Sequence, residues 1–165
     1  MHTRVITPKH GPSLVVRPLR DGDTATVLAV FERLGEASRR ARFNGPKPCL
    51  SDAELAQLAQ VDGAHHALVG WVEGDPEPAA IARLARTSRG SAEIAFAVAD
   101  AYQAQGIGAA LAAELIADAR MAGITEITAL TSPDNPAALA LVKRIARVVD
   151  VSFEGPDLAV RAAIA

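Results

Sequence analysis

The order of apolar and polar residues along the chain predicts elements of both strand and helix. Residues 91–98 alternate between the two kinds, with Ile94, Phe96 and Val98 on one face, as in a half-buried strand. Residues 106–121 instead carry apolar side chains at the spacing of an amphipathic helix. The chain therefore passes from a strand into a helix within a few residues, and this junction is its most informative part.

The same criteria predict the other elements. Strands are predicted at residues 14–19, 67–72, 79–85, 92–98, 126–130, 148–153 and 158–164. Helices are predicted at residues 24–34, 51–59, 106–121 and 136–144, the second of them opened by a Ser51–Glu54 capping box. Residues 36–50 are predicted to be irregular, because Pro46 and Pro48 forbid a continuous helix there. Short turns between the three middle strands favour antiparallel pairing.

Composition narrows the class of protein. The chain has 165 residues, 50% of them hydrophobic and 4% aromatic, which predicts one domain with a core of small side chains. Its formal net charge of -2 gives no support for a nucleic-acid or membrane partner. One cysteine, Cys49, excludes an internal disulfide, and with no apolar leader the expected location is cytoplasmic. Residues 1–12 are predicted to be a flexible segment and residues 13–165 the domain.

A glycine turn joins the strand and the helix at residues 103–108. Its sequence is Gln103-Ala104-Gln105-Gly106-Ile107-Gly108. The first N–H groups of a helix have no partner within it, so this junction suits a phosphate or pyrophosphate. The triphosphate loop needs a Gly-Lys-Ser/Thr ending and the dinucleotide fingerprint needs a third glycine, and both are absent. The alternative is an ordinary turn without a ligand.

This hexapeptide resembles the Gln/Arg-x-x-Gly-x-Gly/Ala signature of the GCN5-related N-acetyltransferases, the GNAT superfamily. The order of predicted elements extends the resemblance over almost the whole chain, and residues 42–48 look like part of the acetyltransferase domain of bacterial protein-lysine acetyltransferases. The resemblance implies an α/β (α+β) fold, with a mixed, mostly antiparallel sheet of about seven strands and about four flanking helices. It also implies acetyl-CoA as co-substrate, no metal, and a homodimer as a frequent assembly.

The resemblance also assigns a cofactor site. In the superfamily the strands before and after the glycine turn splay apart, and the pantetheine arm lies between them. Here that places the arm against the backbone of Phe96, Ala97 and Val98. The pyrophosphate is expected on the amides of residues 105–110. The remaining implied contacts are Gln103, Gln105, Gly106, Ile107, Gly108, Ala109, Ala110 and Asn135.

Glu93 is the candidate general base. An alkylamine with a pKa of about 10.4 is almost fully protonated at neutral pH, so its attack on a thioester requires removal of a proton. If Ile94 faces the core, alternation along the strand puts Glu93 on the opposite side, toward the cleft. Residues 92–96 also resemble the strand on which bacterial protein-lysine acetyltransferases carry a glutamate base. The alternative is a solvated glutamate at a sheet edge.

The group that would protonate the leaving thiolate departs from the superfamily pattern. Many members carry a tyrosine seven residues after an asparagine in the last long helix, but here Val142 lies seven residues after Asn135. The thiolate then leaves unassisted, or with help from water or another residue. Tyr102 is expected to pack or to contact the cofactor. A strand amide near Val98 is the expected donor to the oxyanion.

A basic cluster in residues 36–50 leaves three interpretations open. It could bind the 3′-phosphate of the cofactor, an acidic acceptor, or nothing. The adjacent His65 and His66 are interpreted as exposed turn residues and not as metal ligands. The members of the basic cluster are Arg39, Arg40, Arg42 and Lys47.

Two functions remain from the sequence. The first is an acetyl-CoA-dependent N-acetyltransferase in which a primary amine attacks directly within a ternary complex, with Glu93 as base. Its acceptor is a protein lysine or a small-molecule amine. The second is a non-catalytic acyl-CoA-binding sensor or regulatory module, which the missing tyrosine favours and the presence of Glu93 disfavours. The sequence does not determine the acceptor, the acyl-chain preference or the oligomeric state.

Overall fold

One eight-stranded sheet with helices on both faces makes up the computed structural model, which describes residues 2–164. The strands are β1 (Arg4–Ile6), β2 (Leu14–Pro18), β3 (His65–Val72), β4 (Ala80–Arg86), β5 (Ser91–Val98), β6 (Glu126–Thr131), β7 (Arg147–Glu154) and β8 (Asp157–Ala163). The helices are α1 (Thr24–Glu32), α2 (Glu36–Phe43), α3 (Asp52–Leu58), α4 (Ile107–Met121) and α5 (Pro136–Ile145). A short 3-10 turn at Asp100–Tyr102 lies between β5 and α4.

The predicted fold class and the mostly antiparallel sheet are confirmed, with two elements that the pattern did not predict. Eight strands replace about seven, because β1 forms within the segment predicted to be flexible and pairs with residues 14–16 of β2. Three residues are too few to show a period. Five helices replace about four, because α2 occupies the first half of the segment predicted to be irregular. Pro46 and Pro48 lie beyond its C-cap, Asn44, and so do not interrupt it.

The strand order is β1-β2-β3-β4-β5-β6-β8-β7, and each neighbouring pair is antiparallel except β5 and β6. These two parallel strands pair only at residues 91–93 of β5 with residues 126–128 of β6. Beyond Glu93 they separate. We call the opening between residues 94–98 of β5 and residues 129–131 of β6 the strand gap.

Two hydrophobic cores lie on opposite faces of the sheet. On the first face, α4 and α5 cover a core in which Leu115 is completely buried. On the second face, α1 and α3 cover a core that includes Val69 and Ile81. Ile94 belongs to the first core, as the alternation along β5 predicts. Its neighbours along the strand therefore face the side of α1 and α3.

Ion pairs attach β1 to α4. Arg4 donates to Glu114 and to Asp118 at 2.6 Å each. The second Asp118 oxygen lies 3.0 Å from His66 Nε2. The N-terminal strand is thus bound to both the sheet and the longest helix. No helix within residues 2–164 has the length and apolar character needed to cross a membrane.

Candidate active site

The glycine turn leads into the start of α4, where several backbone N–H groups have no partner within the helix. Gly106 is the N-cap and has a φ of 80°, a left-handed conformation that glycine adopts without strain. The N–H groups of residues 105–109 have no backbone acceptor within the described part of the chain. The N–H of Ala110, by contrast, donates to the Gly106 oxygen at 3.0 Å. The Ala110 amide thus has an acceptor within the helix, whereas the N–H groups of the preceding residues have the arrangement that suits an anion.

Gly108 allows the first turn of α4 to approach the end of β5. A Cβ atom at this position would lie 3.4 Å from Val98 Cγ2. The N–H groups at the start of α4 consequently lie beside the strand gap.

The segment before β2 lies against the glycine turn, a contact that the sequence did not reveal. Gly11 has a φ of 140°, and a Cβ atom there would overlap the Gln105 carbonyl oxygen. A Cβ atom on Gly106 would lie 3.2 Å from the His10 carbonyl oxygen. Residues 8–11 therefore support the turn from outside. The only indication of this contact in the sequence was Gly11, a single glycine in a polar segment.

Alternate residues of β5 turn their backbone groups toward the strand gap. The Ala99 N–H donates to the Ala79 oxygen at 2.7 Å. Hydrogen-bonded pairs alternate with non-bonded pairs along an antiparallel ladder, so residues 97, 95 and 93 also bond to β4. Phe96 and Val98 then direct their N–H and C=O groups away from β4 and into the gap.

The other predicted cofactor contacts have roles of their own in the structure. Ala97 bonds its backbone to β4 and packs its side chain against the core under α1 and α3, so its predicted contact with the cofactor stays a prediction. Gln103 Nε2 donates to the Val98 oxygen and Gln105 Nε2 to the Ala101 oxygen, both at 3.0 Å. Asn135 caps α5 by accepting from the N–H of residue 138 at 3.2 Å.

Glu93 lies where β5 and β6 separate. It is opposite Ala85 in β4 and Thr128 in β6, and Thr128 is the last β6 residue paired with β5. Its exposed side chain lines a cavity of about 320 Å³ on the face of α1 and α3. None of the ion pairs within residues 2–164 includes Glu93. The carboxylate is therefore available to a molecule in the cavity.

Two arginines line the same cavity. Arg42 reaches it from α2, and Arg83 reaches it from β4, where it is paired with Ala95 on the same face as Glu93. Burial and then the charge of Arg83 lower the pKa of Arg42 to about 10, and Glu93 acts in the opposite direction. Burial also lowers the pKa of Arg83. Both guanidinium groups stay charged at neutral pH. A lone arginine within the predicted apolar strand 79–85 was the signal that sequence reasoning missed.

The basic cluster predicted in residues 36–50 is dispersed by the fold. Of its four members, only Arg42 lines the cavity. Arg39 lies over the Phe31 ring at 4.1 Å, and Arg40 extends toward Glu36 at 4.0 Å. The Lys47 ammonium pairs with Glu54.

Tyr102 packs beside the first core and is held by its hydroxyl group. The hydroxyl donates to Asp75 Oδ2 at 2.7 Å, and Arg33 donates to the same oxygen at 2.8 Å. The bond to Asp75 raises the pKa of Tyr102. The Glu77 N–H, the Tyr102 hydroxyl and Arg33 lower the pKa of Asp75 to about 2. Tyr102 therefore remains a protonated structural phenol.

The adjacent histidines belong to β3 and are half-buried, so the prediction of exposed turn residues is wrong. His65 Nδ1 lies 2.8 Å from Asp62, and His66 contacts Asp118 on the opposite face of the sheet. Within residues 2–164, no three His, Cys, Asp or Glu side chains are grouped so that they could hold a metal ion.

The family model of the acetyltransferase (GNAT) family matches residues 29–146, well over half of the chain. The chain belongs to the GNAT family. The predicted family and enzyme class are thereby confirmed, and this GNAT protein is an N-acetyltransferase. Acetyl transfer from acetyl-CoA is the chemistry of the family, and the bare helix start beside the strand gap is the part of this fold that suits such a carrier.

Relatives of the GNAT protein agree with the assignment. An acetyltransferase of Pseudomonas aeruginosa is 34% identical over 131 residues, which cover 77% of this chain and 70% of the relative. Acetyltransferase Pat of Mycolicibacterium smegmatis is 32% identical over 142 residues, or 84% of this chain but 42% of Pat. The chain thus spans less than half the length of Pat. The solved GNAT domain of S. lividans PAT has the same fold, with a TM-score of 0.86 at 24% identity over 98% of this chain and 96% of that domain.

Proposed function

We propose that this GNAT protein transfers the acetyl group of acetyl-CoA to a primary amine by direct attack within a ternary complex. The observation that carries the proposal is the meeting of three features where β5 and β6 separate. Free N–H groups begin α4, backbone groups of β5 face the strand gap, and the Glu93 carboxylate faces the adjoining cavity. They supply a phosphate site, a channel for an extended arm, and a base.

The cofactor would be held mostly by backbone groups. The N–H groups of residues 105–109 and the positive end of the α4 dipole would bind the diphosphate. The pantetheine arm would lie in the strand gap, where its amides can bond to Phe96 and Val98 as a neighbouring strand would. Gln103 would flank this path through its bond to the Val98 oxygen, whereas the contacts of Gln105 and Asn135 with the cofactor stay predictions.

Replacing Gly11 by Ala is expected to weaken acetyl-CoA binding about tenfold, because the new Cβ would displace the Gln105 carbonyl and with it the glycine turn. Calorimetric titration with acetyl-CoA measures this effect. Gly74→Ala is the matched control: Gly74 also has a positive φ, of 87°, but nothing lies within 4 Å of the position that its Cβ would occupy. Equal affinities for the two variants would show that residues 8–11 do not shape the turn.

The Glu93 carboxylate would accept the proton from the acceptor ammonium or from an intervening water. It is a suitable base because its carboxyl group is exposed to the cavity and free of ion pairs to described residues. Its neighbours across the sheet, Ala85 and Thr128, carry no charge that would compete for the proton.

The remaining steps use few side chains. The Phe96 N–H faces the strand gap closer to Glu93 than the Val98 N–H does, and it would donate to the oxyanion of the tetrahedral intermediate. Val142 is buried in the first core, at 2% exposure, and offers no proton. Tyr102 is held by Asp75. The coenzyme A thiolate would therefore leave without a tyrosine acid and take its proton from water, as a thiol with a pKa near 8.5 allows.

The second candidate is a non-catalytic acyl-CoA-binding module. The observation that favours it is Val142 at the place where many family members carry a tyrosine. It requires the same helix start and strand gap but gives Glu93 no chemical role.

Two measurements separate these candidates. Thermal shift with acetyl-CoA, coenzyme A and longer acyl-CoA thioesters tests binding. Release of free thiol with a panel of small amines and lysine peptides then tests transfer. Amine-dependent thiol release together with acetylated product supports the enzyme. Tight binding with no transfer over the whole panel would support the sensor, and no binding of any thioester would contradict both.

A further inference from the structure

The cavity beside Glu93 contains one positive charge in excess. Its charged lining residues are Arg42, Glu54, His65, Arg83 and Glu93. Glu54 is neutralised by Lys47 outside the cavity, and His65 contacts Asp62. Two guanidinium groups and one carboxylate then remain. Because burying an unpaired charge is costly, such a cavity is suited to one further anion.

Neither arginine is paired with an acid in the described part of the chain. Arg83 Nη1 donates to the Gln57 carbonyl at 3.3 Å, but its Nε is buried without a partner. The Arg42 guanidinium lies over the Phe43 ring at 4.8 Å. Each group is thus fixed by neutral contacts and keeps donors free. Planar guanidinium groups bind carboxylates through paired hydrogen bonds, so a carboxylate fits this arrangement.

We infer that the acceptor is a primary amine that also carries a carboxylate, with the carboxylate bound by Arg42 and Arg83 and the amine directed to Glu93. This inference rests on the proposed function and names its substrate class. The cavity, about 320 Å³, lies at the lower end of the range for small-molecule sites, which fits a short amino acid. Glu93 is opposite Ala85 in β4, and Arg83 lies two residues from Ala85 in the same strand. The positions of Glu93 and Arg83 are therefore offset by about 7 Å along the strand direction. That spacing favours an amine separated from its carboxylate by several methylene groups.

A series of amino acids from 3-aminopropanoate to 6-aminohexanoate, compared with alkylamines of the same length, tests the inference. Because the guanidinium groups would form charged hydrogen bonds with the carboxylate, we expect kcat/KM for the best amino acid to exceed that of its matched alkylamine by about tenfold or more. In Arg83→Gln this ratio is expected to fall close to one. The control Arg89→Gln, an exposed arginine in the turn before β5, keeps the wild-type ratio.

A second variant covers the case in which Arg83→Gln does not fold. Arg42→Gln removes the other guanidinium and is likewise expected to abolish the preference for the carboxylate. Peptides with Asp or Asn beside a lysine form a separate arm. A preference for Asp, lost in the same variants, would locate the carboxylate on a peptide instead of a free amino acid.

The results distinguish this inference from the proposed function. Equal turnover of amino acids and alkylamines, unchanged in both arginine variants, would overturn the inference and leave the acetyltransferase proposal intact. If no amine is acetylated, calorimetric titration of 5-aminopentanoate into protein saturated with coenzyme A tests whether the two arginines bind the carboxylate. Binding that Arg83→Gln weakens by about tenfold supports the carboxylate site although transfer fails, and no binding overturns it.

Discussion

Replacing Glu93 by Gln is expected to lower kcat by a factor of about 10² to 10⁴ near pH 7 while leaving the affinity for acetyl-CoA unchanged. The amide has nearly the same shape but accepts no proton, so only amine already neutral in solution can react. With a pKa of about 10.4, that fraction is well below one part in a thousand at pH 7. Steady-state kinetics from pH 7 to 10 together with calorimetric titration of acetyl-CoA measure both quantities.

The deficit of Glu93→Gln should shrink as the pH rises, because the neutral amine becomes more abundant without help. The matched control is Glu73→Gln, which removes the same charge from an exposed position in the turn between β3 and β4. This control is expected to retain wild-type kcat. A Glu93→Gln enzyme with unchanged kcat at pH 7 would exclude Glu93 as the base.

Replacing Gly106 by Ala is expected to weaken acetyl-CoA binding at least about tenfold. Residue 106 has a φ of 80°, which costs a residue with a side chain about 1–2 kcal/mol, and its new Cβ would lie 3.2 Å from the His10 oxygen. The turn must move to relieve this strain. The N–H groups at the start of α4 then no longer point toward one ligand position. Calorimetric titration of acetyl-CoA measures the loss.

Gly123 provides the control at the other end of α4. Its φ is 78°, and nothing lies within 4 Å of the position that a Cβ would take. Gly123→Ala therefore carries a similar conformational cost without disturbing the proposed phosphate site. We expect it to lower the melting temperature but to bind acetyl-CoA like the wild type. If Gly106→Ala binds acetyl-CoA as well as Gly123→Ala, the helix start does not hold the diphosphate.

Local pattern predicted most of the fold. The Ser51–Glu54 capping box, the helix that begins after Gly106 and the antiparallel order of β3, β4 and β5 are all present as predicted. Each depends on interactions within one element or between neighbours joined by a short turn. The pattern missed β1 because that strand is too short to show a period, and it missed α2 because that helix ends just before the two prolines.

The candidate site was predicted only in part. Alternation along β5 correctly directed Glu93 away from the α4 core, since side chains of a strand point to opposite faces by turns. The same rule applied to the backbone would have shown that Ala97 bonds to β4, had the register of that pair been known. The role of Glu93 as base and the path of the cofactor remain predictions.

By itself the sequence determined the glycine turn and the buried faces of its most regular elements, and through them the GNAT family. Only the tertiary structure decided that Arg42 and Arg83, 41 positions apart in the numbering, share a cavity with Glu93, and that residues 8–11 support the glycine turn. The physical reason is the separation along the chain over which each interaction acts. Periodicity and capping arise from neighbours within a few residues, whereas a shared cavity depends on strand order and register, which long-range packing selects.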